Sequence, residues 1–248
     1  MGQAEPSTWY HTLRIGKHAA APFYSTVLHV PSLMTKTECE ALIAAADAHL
    51  NVLFDQHVGR HGGHAWPPMH RLPLAAFGRG PLKAMQDQGL TAAQGAQARR
   101  IVDEVLFGRV LELLERREPD IASACFGACS GLASLPAHFK GIEPSINVYT
   151  AGGFAGPHQD HQALTVLAQL SPSSCFEGGG TAFWPEEQAS GWMAPLDLEK
   201  ALKRGTEVVV RPEQGDVLLW GANLPHAGVA VESGTRHVLV GSFSLGSG

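Results

Sequence analysis

Between Thr91 and Arg117, Ile101, Val102, Val105, Leu106, Val110, Leu111, Leu113 and Leu114 recur at helical spacing and leave Arg100, Asp103, Glu104, Arg109, Glu112 and Arg116 to another face. That pattern predicts an amphipathic helix over about 91–117, laid across the back of a sheet and ended by Pro119. A second helix is predicted over about 36–49, where Cys39, Leu42, Ile43 and Ala46 share a face and Thr35-Lys36-Thr37-Glu38 forms a capping box. Ahead of it, Ser25–Val30 is β-branched and closed by Pro31, which predicts a short strand. After Ser145 the period changes. Ser145–Tyr149, Ala163–Leu170, Gly180–Trp184, Glu207–Val210, Asp216–Trp220 and His237–Phe243 are apolar or β-branched runs separated by Gly, Pro and Asn turns, the signal of an all-β sandwich or barrel.

Other stretches carry weaker patterns. Residues 1–20 are polar and unpatterned, and 120–145 reads as a Gly- and Pro-containing connection into the barrel. Residues 186–205 read as a loop excursion between two strands, with a short helical pattern over Leu196–Arg204. His57, His61, His64 and His70 lie among Gly62-Gly63 and Pro67-Pro68 in no helix or strand register. Such histidines read as solvated or substrate-facing rather than as a metal cluster.

Composition narrows the class. With 44% hydrophobic and 17% charged residues in 248, the chain reads as a soluble globular protein large enough to need no disulfide staple. A net charge of −5 without a Lys/Arg-rich run argues against a nucleic-acid partner. No apolar stretch reaches the length of a secretory or membrane segment, so the expectation is a cytoplasmic protein without a membrane partner. Cys39, Cys125, Cys129 and Cys175 fit no disulfide framework and are expected as reduced thiols.

The candidate chemistry centres on His158-Gln159-Asp160. On an extended strand, an imidazole and a carboxylate two positions apart share one face. A second histidine follows in Leu224-Pro225-His226-Ala227-Gly228. Two histidines and one carboxylate leave metal positions open for a cosubstrate and O₂, as in non-haem Fe(II) oxygenases. Ten residues on, Arg236 opens an apolar run and could grip a carboxylate bidentately. Zinc accepts the same ligands, but a carboxylate-gripping arginine has no purpose in a simple zinc site.

Together, His158, Asp160, His226 and Arg236 resemble the 2-oxoglutarate/Fe(II) dioxygenase superfamily, in particular its prolyl-4-hydroxylase-like branch, over roughly residues 146–244. Tyr149 stands where that branch has its Tyr-x-x-Gly run; Glu177–Pro185 resembles its Gly-Gly-x-Thr-x-Phe-Pro strand, and Gln214–Trp220 its Gly-Asp-Ala-Leu-Leu-Phe strand. Leu224–Val231 resembles Leu-His-Ala-Gly-x-Pro-Val with one residue inserted. Gln169 stands where the branch usually has a tyrosine, Gln162 near where several relatives have an arginine, and Arg236 where collagen-type relatives have a lysine.

The resemblance implies a mainly β, cupin-like jelly roll, or double-stranded β-helix. Residues 1–144 would form N-terminal supporting helices with 55–75 as a candidate lid over the active-site mouth, and 145–248 the catalytic core of a single domain. It implies Fe(II) held by His158, Asp160 and His226, with Arg236, and Tyr149 or Thr165, holding the distal carboxylate of 2-oxoglutarate. O₂ is the co-reactant and ascorbate an accessory. The implied reaction hydroxylates an unactivated C–H bond of a peptidyl proline or of a free amino acid or small metabolite, releasing succinate and CO₂. Halogenating relatives carry a small residue in place of the carboxylate, so Asp160 speaks against halogenation. A non-catalytic iron- or oxygen-responsive binding protein on the same fold is the alternative, told apart by succinate release under O₂. The oligomeric state is left open.

Overall fold

The computed structural model describes residues 11–14, 26–61, 68–76, 92–184, 207–221 and 224–246. Strands β1 (His11–Arg14) and β2 (Thr26–Val30) precede helix α1 (Lys36–His61) and strand β3 (Met69–Pro73). Helix α2 (Ala92–Asp103) runs through a π-helical segment (Glu104–Val110) into α3 (Leu111–Arg117), and α4 (Pro119–Phe126) follows. The remaining strands are β4 (Ala137–Phe139), β5 (Ser145–Tyr149), β6 (Ala155–His158), β7 (Leu164–Gln169), β8 (Phe176–Gly178), β9 (Thr181–Phe183) and β10 (Val208–Val210). They continue as β11 (Val217–Gly221), β12 (His226–Gly228), β13 (Val231–Gly234) and β14 (Arg236–Leu245).

Antiparallel pairing orders the major sheet β1-β2-β11-β7-β14-β5-β3, with β4 also on β14. A minor sheet runs β10-β9-β12-β6, and β13 pairs with β8. This is the jelly roll. Alternation along β14 separates its two environments. Val238 belongs to the cluster inside the barrel with Tyr149, Leu167, Phe183, Leu218 and Trp220. Leu239 and Phe243 belong to the outer cluster, which packs the major sheet against Leu42, Val102, Val105, Leu106, Val110 and Leu114.

The long amphipathic helix forms, but the π turn changes its phase. One extra residue in a turn rotates everything beyond it. Ala98, Val102, Val105, Leu106, Val110, Leu111, Leu113 and Leu114 are buried, and Ile101 packs half-buried at the margin of the same cluster. Pro119 does not merely end the helix; it opens α4 at its first turn, a position that needs no proline N–H.

The predicted capping box is formed. Glu38 N–H donates to Thr35 Oγ1 at 3.2 Å and Thr35 N–H donates to Glu38 Oε2 at 2.8 Å. Arg109 of the π segment donates to the same carboxylate and to Leu33 O, tying α1 to the second helix. Past its expected end, α1 continues to His61. The candidate lid is therefore corrected: 55–61 is helix and 69–73 is strand β3, which pairs with β5 at the sheet edge, while 62–67 lies outside the described residues. Apolar Met69 and Leu72 give β3 something to bury, which the histidine-rich neighbourhood obscured. The predicted excursion over 186–205 also lies outside the described residues. β1, in the stretch read as unpatterned, pairs with β2.

Candidate metal centre and cosubstrate cavity

Strand pairing brings the two histidines together. β12 lies antiparallel to β6 with His226 opposite His158, so both imidazoles emerge at the same end of the minor sheet. The ring centroids are 4.4 Å apart. Asp160 lies two residues beyond the end of β6 rather than on the strand, contrary to the extended geometry expected for His-x-Asp. Its carboxylate nevertheless reaches both rings: Oδ1 is 3.5 Å from His158 Nε2 and Oδ2 is 3.2 Å from His226 Nε2. Among the described residues, these three form the one group of ligand atoms close enough together to hold a metal ion, all within 4.8 Å of one another.

The hydrogen bonds around the rings decide what fits. His158 Nδ1 lies 2.7 Å from Gly156 O and His226 Nδ1 lies 2.8 Å from Leu224 O. Carbonyl oxygens only accept, so each Nδ1 carries a proton and a neutral ring is left with a bare lone pair at Nε2. Both lone pairs then face the anionic oxygens of Asp160, an arrangement that calls for a cation between them. Histidine ligands are commonly oriented this way, by a hydrogen bond from the nitrogen that does not bind metal. Burial pushes the Asp160 carboxyl up, but the neighbouring His158 and His226 rings and the Thr165 hydroxyl outweigh it and hold the group well below the usual carboxylate range. An anionic ligand is thus available at any physiological pH.

Sequence reading gave no sign of Lys140, whose ammonium lies 3.1 Å from Asp160 Oδ1. Thr165, expected beside the cosubstrate, instead donates to Asp160 Oδ2 at 2.7 Å and sits 3.1 Å from Ser242 Oγ. Its place in β7 is opposite Ser242 rather than near Arg236, so its hydroxyl orients the Asp160 carboxylate.

Arg236 opens β14 directly opposite Tyr149 of β5, and its guanidinium carbon lies 6.0 Å from the tyrosine ring centre. Only 2% of the residue is exposed. Nε donates to Gln169 Oε1 at 3.0 Å and Nη1 donates to Gly180 O at 3.1 Å. Gln169 is itself fixed, donating through Nε2 to Ser171 O at 2.8 Å. The unexpected glutamine therefore aims the arginine. Among the described residues Nη2 has no partner, nor has the hydroxyl of Thr181. Both residues line one cavity with Tyr149, His158, Asp160 and His226. A buried donor fork with one free tooth, beside an unpartnered hydroxyl and across from a cation-seeking triad, matches a small dianion that also binds the metal. Fe(II) and 2-oxoglutarate fit these residues.

Comparison with known proteins agrees. Residues 144–244 match the family model of the 2OG-Fe(II) oxygenase superfamily. The matched span holds Tyr149, the His158–Asp160–His226 triad and Arg236. As a 2OG-Fe(II) oxygenase it uses Fe(II), 2-oxoglutarate and O₂. Its fold is similar to that of HygX from Streptomyces hygroscopicus, solved with nickel and 2-oxoglutarate bound, at 16% identity over 88% of this chain and 81% of that one, with a TM-score of 0.52. Similar too is SnoK, a non-heme alpha-ketoglutarate-dependent carbocyclase of nogalamycin biosynthesis, at 16% identity over 89% and 80% and a TM-score of 0.51. AviO1 from Streptomyces viridochromogenes Tue57 is 13% identical over 88% of both chains, with a TM-score of 0.50. No curated protein matches the chain by sequence. Among the described residues no helix is long and apolar enough to cross a membrane.

Proposed function

We propose that this oxygenase hydroxylates an unactivated C–H bond of a free amino acid, a small metabolite or a peptidyl proline. His158, Asp160 and His226 are assigned as the Fe(II) ligands, and Arg236 with Tyr149 as the cradle of the distal carboxylate of 2-oxoglutarate. The observation that carries the reading is the free Nη2 of Arg236, buried in the cavity that the triad lines. The ordered run of motifs from Tyr149 to Arg236 supports placement in the prolyl-4-hydroxylase-like branch.

Bound there, Fe(II) with 2-oxoglutarate and O₂ supplies the oxidant: one oxygen atom enters the C–H bond, the other enters succinate, and CO₂ leaves. The chain's own residues prepare that chemistry. Gly156 O and Leu224 O fix the tautomers of the two histidines. Thr165 and Lys140 turn the Asp160 carboxylate toward them. Gln169 and Gly180 O hold the guanidinium so that its free edge meets the cosubstrate without rearrangement. Phe183 and Trp220 pack around His226, the Trp220 ring centre 4.9 Å from that of the imidazole, and keep bulk water from this side.

Aerobic incubation with Fe(II), 2-oxoglutarate and a panel of free amino acids and prolyl peptides tests the reading. Succinate should form in step with a product 16 Da heavier. Absence of succinate under every condition, with iron bound, would leave the binding-protein alternative.

A further inference from the structure

Arg71 and Glu143 line the same cavity as the triad but belong to neither the metal site nor the Arg236 cradle. Arg71 lies in edge strand β3, opposite Asn147 of β5, and opposed residues of an antiparallel pair point to the same face. Its residue is exposed, which places it at the mouth. No hydrogen bond or ion pair to its guanidinium is formed among the described residues. Glu143, in the turn between β4 and β5, is only 9% exposed. It accepts a hydrogen bond from the Ser242 backbone N–H, at the end of β14 remote from Arg236. No Lys, Arg or His among the described residues pairs with this carboxylate. Arg71 is near enough for its charge to oppose the rise that burial imposes on Glu143, yet the two form no ion pair.

Satisfying the backbone N–H and hydroxyl of one serine, Ser242, needs no buried carboxylate, and a carboxylate taken out of water without a cation is costly. A guanidinium and a carboxylate that face one cavity, sense each other and leave space between them are complementary to a molecule carrying both charges. We propose that Arg71 and Glu143 bind a free α-amino acid, Arg71 gripping its carboxylate and Glu143 its ammonium. Asn147, opposite Arg71 on β5, lines the same cavity, and its amide donates to Tyr149 Oη at 3.4 Å. A peptidyl residue carries neither charge, so the pair selects the free amino acid among the substrates considered above. The inference rests on the reading of this cavity as the oxygenase centre.

The test uses the full chain loaded with Ni(II), which supports binding without turnover, and 2-oxoglutarate. Each proteinogenic L-amino acid is titrated by calorimetry beside its α-carboxamide and its N-acetyl derivative. At least one free amino acid should bind, and each blocked form should bind at least about 10-fold more weakly, as loss of a charge-assisted contact requires. Arg71→Gln, at an exposed edge position, should weaken the free amino acid by about 10–150-fold and leave the carboxamide unaffected. Glu143→Gln should do the same for the ammonium end, with the N-acetyl form unaffected. Equal binding of free and blocked forms, no amino-acid binding, or indifference to Arg71→Gln would each overturn the proposal. The thermal shift given by 2-oxoglutarate separates the two levels: if it persists, the oxygenase reading stands and only the zwitterion site fails; if it is absent from the unmodified chain, the reading of the cavity fails.

Discussion

Replacing Arg236 by Met should abolish cosubstrate binding while changing the stability of the ligand-free protein little. Burial, with Arg211 adding to it and Tyr149 opposing it, lowers the guanidinium from 12.5 to about 10. A displacement of that size sets about 3 kcal/mol against the charged form. The sign follows from proton binding: between about 10 and 12.5 the unfolded chain holds the proton more tightly. The cost is therefore fully present at neutral pH and is relieved only as pH rises through about 10. Methionine removes it but strands Gln169 Oε1, worth about 1–3 kcal/mol when left unpaired, whereas Gly180 O keeps its bond from the Val229 N–H. These effects oppose one another at similar size, so the melting temperature without ligand should stay within several degrees of the parent. The ligand response should not. At a hundredfold excess over its Kd, 2-oxoglutarate stabilises the parent by about 2.7 kcal/mol, or about 5–11 °C for a chain of this length. Scanning calorimetry of the Ni(II) protein with and without 2-oxoglutarate reads both quantities. A variant that kept the full ligand shift would place the carboxylate elsewhere; one that melted far below the parent would make Arg236 a structural residue.

His158→Ala and His226→Ala should each lose stoichiometric iron by elemental analysis while the chain remains folded. Leu106→Ala removes a side chain that is fully buried in the outer cluster, and should cost about 2–5 kcal/mol in urea unfolding with turnover per folded molecule unchanged. Glu38 is held at about 2, chiefly by its hydrogen bond from Arg109, so its stabilisation is complete above about 4.5 and is lost as pH falls toward 2. Arg109→Met should flatten that acid limb of the stability profile. Gln169→Leu should raise the 2-oxoglutarate requirement of succinate formation without loss of iron, because the arginine loses its aim.

The barrel was largely legible because its strands bury one or both faces. Ser145–Tyr149 reads as a strand and is one to the residue, since all five positions are buried. β6 was missed: Ala155-Gly156-Pro157-His158 has neither β-branched content nor alternation, and is held as a strand by its partner β12. The three metal-site residues could be found from spacing, since a ligand set must be composed of particular residue types. Lys140 and Glu143 could not. They reach the site from the turn after β4, and nothing in a local pattern says that a turn will fold over a cavity. Gln169 shows the intermediate case. It was visible as a departure from the family pattern, but its role depends on a contact 67 positions away in sequence.

The charges of the cavity also bear on how it can be filled. Asp160 and Arg236 are both buried: the one cation on Asp160 is the partly exposed Lys140, and Nη2 of Arg236 has no partner among the described residues. Residues that merely stabilised the barrel would be expected to pair with each other, since breaking a buried pair costs more than keeping it. Here Asp160 is turned to the histidines and Arg236 to Gln169 and Gly180, so neither can neutralise the other. A divalent cation bridged to a dianion answers both needs and adds no net charge to the interior. Either ligand alone would leave an uncompensated charge in a medium where such charges are expensive. The same reasoning applies at the mouth to buried Glu143, for which a zwitterion would bring a cation without adding net charge. Binding at both places is thus favoured by electroneutrality, and an occupant with a single net charge is penalised at either.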